Sequence, residues 1–210
     1  MFKNINNVIK ILVSVDFFYN SAFGSFGPVF AIFITNQIAG GSAKVAGFAA
    51  AFYWLTKSVI QLPIARFLDK TDGERDDFWA MFFGYLFSGL VPIAYIFATE
   101  PWHLYVIQAF LGFCMAWAVP AWYSIFTRHV DKWRISFEWS LESVFAVGIA
   151  TAAATAVGGY IADQFGFDIL FAGAGLLAII SSFLLLPIRS YLLPKDHQEK
   201  VMPERRHHVR

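Results

Sequence analysis

The sequence predicts an all-α membrane protein of six transmembrane helices, and three observations carry that expectation. Of the 210 residues, 58% are hydrophobic and only 15% charged, with a mean hydropathy of +0.55. A soluble domain carries roughly 25% charged residues, so the polar surface a water-soluble fold needs is missing. Six apolar runs reach the roughly 20 residues that a bilayer-crossing helix requires. The basic residues gather in alternate turns between those runs.

The runs place helix 1 at Val8–Thr35, helix 2 at Val45–Leu68 and helix 3 at Phe78–Ala98. Helix 4 is expected at Leu104–Phe126, helix 5 at Ser136–Ile161 and helix 6 at Ile169–Ile188. The first run is too long for the apolar core of a signal peptide, so it reads as a retained signal anchor. Short polar turns separate the helices. The chain therefore divides into a six-helix bundle over 1–188 and a basic tail over 189–210, where charge and two prolines predict disorder.

Lys3 and Lys10 precede or open helix 1; Arg66, Lys70 and Arg75 surround the turn after helix 2; and Arg128, Lys132 and Arg134 surround the turn after helix 4. The tail adds Arg189, Lys195, Lys200, Arg205, Arg206 and Arg210, bringing this side to 14 of the 16 Lys and Arg. Lys44 alone faces the other side, and Lys57 lies inside a helix. Positive flanks stay untranslocated, so both termini are expected in the cytoplasm of a cell-membrane protein.

The two halves of the chain echo each other. Gly27-Pro28-Val29-Phe30 in helix 1 matches Val119-Pro120-Ala121-Trp122 in helix 4. Ala65-Arg66-Phe67-Leu68-Asp69 at the end of helix 2 matches Gly159-Tyr160-Ile161-Ala162-Asp163 at the end of helix 5. The proline-to-aspartate separations are 41 residues (28 to 69) and 43 residues (120 to 163). Three helices repeated once must have inverted topology, a 3+3 plan common among transporters.

On these residues the chain resembles the major facilitator superfamily of secondary transporters. The family's glycine-x-leucine-alanine-aspartate-arginine-x-glycine-arginine turn is similar to Ala65-x-Phe67-Leu68-Asp69-Lys70 with Gly73 and Arg75. Ala65 replaces the first glycine, and the turn is one residue longer. Gly158-Gly159 and Ala162-Asp163 to Gly166 resemble the helix 5–6 region of the family. The resemblance implies one six-helix half of the family's twelve-helix fold. It also implies a parallel C2 homodimer, or pairing with a different half, as the way to complete the pathway.

Candidate functional residues follow from the cost of burying polar groups in lipid. Asp16, with Asn20 one turn on, sits inside helix 1, where an ionisable group costs at least ~2.5 kcal/mol and normally faces a cavity or a partner. Asp16 is thus a candidate proton or substrate-cation site, against the plainer reading of a hydrated carboxyl near the interface. Lys57 is the deepest charge, a candidate for an anionic substrate or a carboxylate, unless its long stem snorkels outward. Glu138 and Glu142 share a face of helix 5. In a dimer of the family's type, Gln61 and Lys57 would approach the partner copy's helix 5 at its Glu142 equivalent. The resemblance makes Asp69, Gly73 and Arg75 a conformational-switch turn, with Arg75 reaching Asp69 or Glu138; the plainer reading is an ordinary polar bend.

Gln108, Trp117 and Tyr123 of helix 4, with Phe23 and Phe26 of helix 1, are candidates to line a central cavity, since helices 1 and 4 line it in the family. Pro28, Pro63, Pro92 and Pro120 are expected to interrupt their helices. Gly148, Ala152, Ala156 and Gly159 form a stripe that lets a neighbouring helix approach.

The leading expectation is a proton-coupled secondary transporter of a small molecule, working by alternating access. The alternative is a membrane binding or assembly protein without transport. An enzyme is not expected: His103, His129, His197, His207 and His208 all lie in turns or the tail, and no phosphate loop is present. Cys114 is the only cysteine. No metal, cofactor or nucleic acid is expected.

Overall fold

The computed structural model describes residues 5–70 and 73–192. Six helices within it are long and apolar enough to cross a membrane: α1 Asn7–Gln37, α2 Ala43–Lys70, α3 Arg75–Tyr95, α4 Pro101–His129, α5 Ile135–Phe165 and α6 Phe167–Ser190. Each expected span is recovered, extended by one to three residues at most ends. Beyond Leu192 the expected tail lies outside the described residues.

Local chemistry sets the helix ends. Asn6 caps α1, its side chain accepting from the Val8 N–H at 2.9 Å. Glu100 and His103 form a reciprocal cap at the start of α4, with Pro101 at the first helical position. Gly166, at φ +85°, makes the one-residue link between α5 and α6, a conformation that side-chain-bearing residues rarely adopt.

Inside the spans, α1 breaks at Gly27–Val29, as Pro28 predicts, and α3 breaks at Gly89, three residues before Pro92. Pro63 and Pro120, expected to interrupt α2 and α4, instead sit within continuous helix. A proline in a membrane helix frees one carbonyl, which neighbouring groups can satisfy without ending the helix. α5 winds as a π-helix from Glu142 to Ile149. Such wide turns recur at functional positions.

The packing forms two triplets. α2 and α3 pack against α4, while α5 and α6 pack against α1. α3 meets α6 and α1 meets α4 to join the triplets. Glycines mark the close approaches. A Cβ on Gly84 of α3 would stand 2.7 Å from Ala118 of α4, and one on Gly112 of α4 would stand 2.5 Å from the Tyr53 carbonyl of α2. A Cβ on Gly158 of α5 would overlap the Ser25 carbonyl of α1. Without a hydrophobic drive between helices in lipid, such backbone proximity supplies the attraction.

The small-residue stripe expected on α5 lies two positions away from the buried one. Ala146, Ala150 and Gly158 are buried, whereas Gly148, Ala152 and Ala156 face outward. Gly159 meets nothing within 4 Å.

Two buried clusters fill the bundle. One, with Ile9, Leu12, Phe78, Met81 and Phe126, lies toward the end that holds both Asn7 and Ser190. The other, with Phe33, Tyr95, Leu104 and Phe171, fills the opposite end. Asn6 Nδ2 donates to the His129 carbonyl at 3.3 Å at the first end, and Ala39 N–H donates to the Thr99 carbonyl at 2.9 Å at the other. Arg66, Lys70, Arg75, Arg128, Lys132, Arg134 and Arg189 all fall at the first end, called the basic end below. α2 and α5 are the least covered spans: 11% and 17% of their apolar stretches are buried, against 56% in α3.

Candidate functional site

Asp16 is buried at 4% exposure, and four helices converge on its carboxyl. Tyr85 of α3 donates its phenol to Asp16 Oδ1 at 2.8 Å. The Glu142 carboxyl of α5 and the Trp122 indole of α4 close on the same group. Tyr85 is itself held in place. Its ring stacks on Tyr19 at 4.3 Å and 13°, and the Tyr19 hydroxyl meets Ser88 Oγ at 2.8 Å. Ser88 Oγ in turn donates to the Tyr85 carbonyl at 2.8 Å.

A cavity of about 300 Å³ opens beside this cluster, lined by Asp16, Tyr85, Trp122, Tyr123, Trp139 and Glu142, among others. Glu142 Oε2 is buried at its edge without a hydrogen-bond partner among the described residues. Unpaired buried polar atoms are rare in native structures, and beside a cavity they point to a ligand, water or proton as their partner. The described residues show no lysine, arginine or histidine paired with either carboxyl. Chemically, the arrangement is an acid pair that can hold a proton or attract a cation, walled by aromatic faces.

A second polar cluster lies nearer the basic end. Asp77 of α3, 1% exposed in its side chain, takes the Arg128 guanidinium at 2.7 Å and the Ser124 hydroxyl at 2.8 Å. His129 Nδ1 lies 3.5 Å from Glu74 Oε1. Glu138 Oε2 accepts the Asp131 N–H at 3.0 Å. A cavity of about 460 Å³ bordered by Gln61, Asp69, Asp77, Ser124 and Arg128 sits here, and Tyr123 is a wall of both this cavity and the Asp16 cavity.

The sequence-predicted residues sort accordingly. Asp16, Glu142 and Tyr123 come together in one site. Glu142 faces Asp16 of its own chain. Asn20 and Gln108 are half-buried. Lys57 lies 5.2 Å over the Trp54 ring and 5.8 Å over that of Tyr53, both toward the end opposite the basic one, which fits the snorkelling alternative. Phe23 packs against Tyr19 with ring centroids 4.8 Å apart, close to the site. Phe26 packs instead into the far cluster, its ring 5.5 Å from Phe171. Trp117 lines a separate outward groove with Phe67 and Phe113.

In the switch turn, Gly73 adopts φ +131°, the bend its sequence position predicts, while Asp69 and Arg75 are exposed. Thr71 and Asp72 lie outside the described residues. Glu138 takes the backbone of Asp131 where the sequence pointed to Arg75.

Sequence reasoning missed Tyr85, Trp122, Trp139 and the Asp77–Arg128 pair. A tyrosine amid phenylalanines carries a hydroxyl that must find a partner in lipid, and that signal marks Tyr85. Asp77, next to the expected start of helix 3 at Phe78, was legible as an acid at the edge of a span.

A profile of the Major Facilitator Superfamily matches residues 12–207 of the chain. No curated protein matches it. Six apolar helices and a match across almost the whole sequence make this a multi-pass membrane protein of a family of small-molecule transporters, and the chain belongs to the major facilitator superfamily.

Proposed function

We propose that the chain is a proton-coupled secondary transporter working by alternating access, with Asp16 and Glu142 as the groups that take up and release the proton. The observation that carries this reading is the Asp16–Glu142 pair itself. Two carboxyls on different helices share one buried site beside a cavity, with no cation paired to them among the described residues. Two negative charges in one buried site repel strongly in a low-dielectric setting, so a shared proton suits the pair. Gaining or losing that proton changes the attraction between α1 and α5, which links protonation to helix position. Tyr123, shared by both cavities, stands between the site and the basic end, and the polar cavity there is the entry on that side. Asp69, Gly73 and Arg75, with the Asp77–Arg128 pair behind them, form the turn that holds one access state. Asn20, Lys57 and Gln108 are secondary polar contacts for the substrate.

The reading includes a second six-helix bundle, with a parallel homodimer as the arrangement. The sparse coverage of α2 and α5 supports it, as does the outward stripe of Gly148, Ala152 and Ala156. The packing also supports a 3+3 repeat: exchanging α1, α2 and α3 with α4, α5 and α6 turns the α2–α4 contact into α5–α1 and the α3–α4 contact into α6–α1. The gathering of cations at one end supports cytoplasmic termini.

The test is proton movement in proteoliposomes. Vesicles carrying the native chain are challenged with a panel of small amphipathic compounds while internal pH is followed, and Asp16→Asn vesicles are run beside them. Substrate-dependent pH change in the native chain and its loss in the Asn variant are expected. An equal response in both discards the proton assignment.

A further inference from the structure

On the outer face of the bundle, α2, α3 and α4 diverge around a groove of about 460 Å³ that the transport reading does not use. Its floor is small: Ala80, Gly84 and Cys114, with Gly84 sealing α3 onto α4 at Ala118. Its walls are aromatic. Trp79, Phe83 and Phe87 stack one turn apart along α3, at 5.4 and 5.9 Å between ring centroids. Phe113 and Trp117 of α4 and Phe67 of α2 stand opposite. The α3 lining runs from Asp76 to Phe87, twelve residues, or about 16 Å of helix. That is about half of a 30 Å hydrocarbon core, the depth of one leaflet measured from the basic end.

Cations mark the mouth. The Arg189 guanidinium lies 5.2 Å from the Trp79 ring. Arg66 precedes Phe67 and Arg75 precedes Asp76, and both arginines are exposed. The half-buried Asp76 carboxyl also borders the groove, one acid among three cations.

We propose that this groove is a lipid site: it holds one acyl chain of an anionic glycerophospholipid whose phosphate meets Arg66, Arg75 and Arg189. A slot with a small floor and aromatic walls fits a polymethylene chain. Its single-leaflet depth and cationic mouth match a lipid better than a second protein helix, which would run the full thickness. The groove has no part in the transport reading, with which it shares only Arg75 of the switch turn.

The test uses the purified full chain, delipidated and titrated with phosphatidylglycerol or phosphatidylcholine, with retained lipid counted by native mass spectrometry. One phosphatidylglycerol per chain is expected. Arg66→Gln, Arg75→Gln and Arg189→Gln are expected to weaken it by about fivefold for each charge removed. Ala80→Phe, which fills the floor, should abolish retention of either lipid. Equal retention of the two lipids by the native chain, or undiminished retention in Ala80→Phe, overturns the proposal. So does an Ala80→Phe change that converts dimer to monomer, which would make a second copy the occupant. Quenching by brominated phosphatidylglycerol gives a readout independent of that variant's folding. Trp79→Phe and Trp117→Phe should each reduce the quench, and a quench unchanged in both counts against the site.

Discussion

Tyr85 and Asp16, 69 residues apart in sequence, are joined by a 2.8 Å hydrogen bond that ties α3 to α1 inside the membrane span. The Tyr19 ring stacked on Tyr85 and the Ser88 hydroxyl behind it fix the donor's direction, so the bond belongs to a rigid set.

Removing that donor separates stability from proton handling. Tyr85→Phe keeps the ring and its stack but strips Asp16 of its phenol, and should cost about 1–2 kcal/mol. Thermal unfolding in detergent measures this. Asp16→Asn keeps an oxygen that still accepts from Tyr85, so it should unfold close to the native temperature while losing proton movement. A large stability loss in Asp16→Asn would show that the charge supports the fold instead.

Arg128→Gln leaves Asp77 buried without its cation. Fully buried pairs lose roughly 3–5 kcal/mol when one partner is removed. The Arg128 side chain retains 28% exposure, so about 2 kcal/mol is expected. The double variant Asp77→Asn, Arg128→Gln should recover most of it. Failure to recover in a double-mutant cycle would mean that Arg128 acts through other contacts.

Adjacent glycines in α5 should behave oppositely. Gly158→Ala drives a methyl into the Ser25 carbonyl and forces α1 and α5 apart, at a cost of about 1–3 kcal/mol. Gly159→Ala meets nothing within 4 Å and should be neutral or slightly stabilising. Comparing their detergent melting temperatures decides the matter, and equal effects would contradict the α1–α5 contact.

Cys114 is the only cysteine in the chain and is buried, so it leaves a nearly silent background for engineered thiols. In a Cys114→Ser chain, Ala156→Cys on the outward face of α5 should give a disulfide-linked dimer on mild oxidation in membranes. Leu176→Cys, exposed on α6, should give much less. Equal cross-linking at both positions would count against a specific parallel interface.

The helices were legible in the sequence because a run of twenty apolar residues has few other uses. Asp16 was legible for the related reason that a carboxylate in such a run is expensive. Of its partners only Glu142 was named, and it was matched to Gln61 and Lys57 of another copy instead of to Asp16. Tyr85, Trp122 and Glu142 arrive from three other helices, and in lipid the outward and inward faces of a helix are both apolar, so periodicity does not say which residue points in. Tyr123 was picked out where its neighbour Trp122 lies deeper, and of the two helix 1 aromatics named, Phe23 lies close to the site while Phe26 does not. Likewise the stripe on α5 was displaced by two residues. The π-helical segment leaves no mark in composition, and its extra residue per turn shifts that register.

That segment has a mechanical corollary. A π turn stores one residue more than an α turn, and relaxing one to α geometry would wind everything before it by about 100° and 1.5 Å. Glu142 opens the segment. Its carboxyl would swing off Asp16 while Gly158, farther along, stayed seated against Ser25. The location of an acid in this bundle is therefore set by how tightly its own backbone is coiled, and a single helix can switch it without moving as a whole.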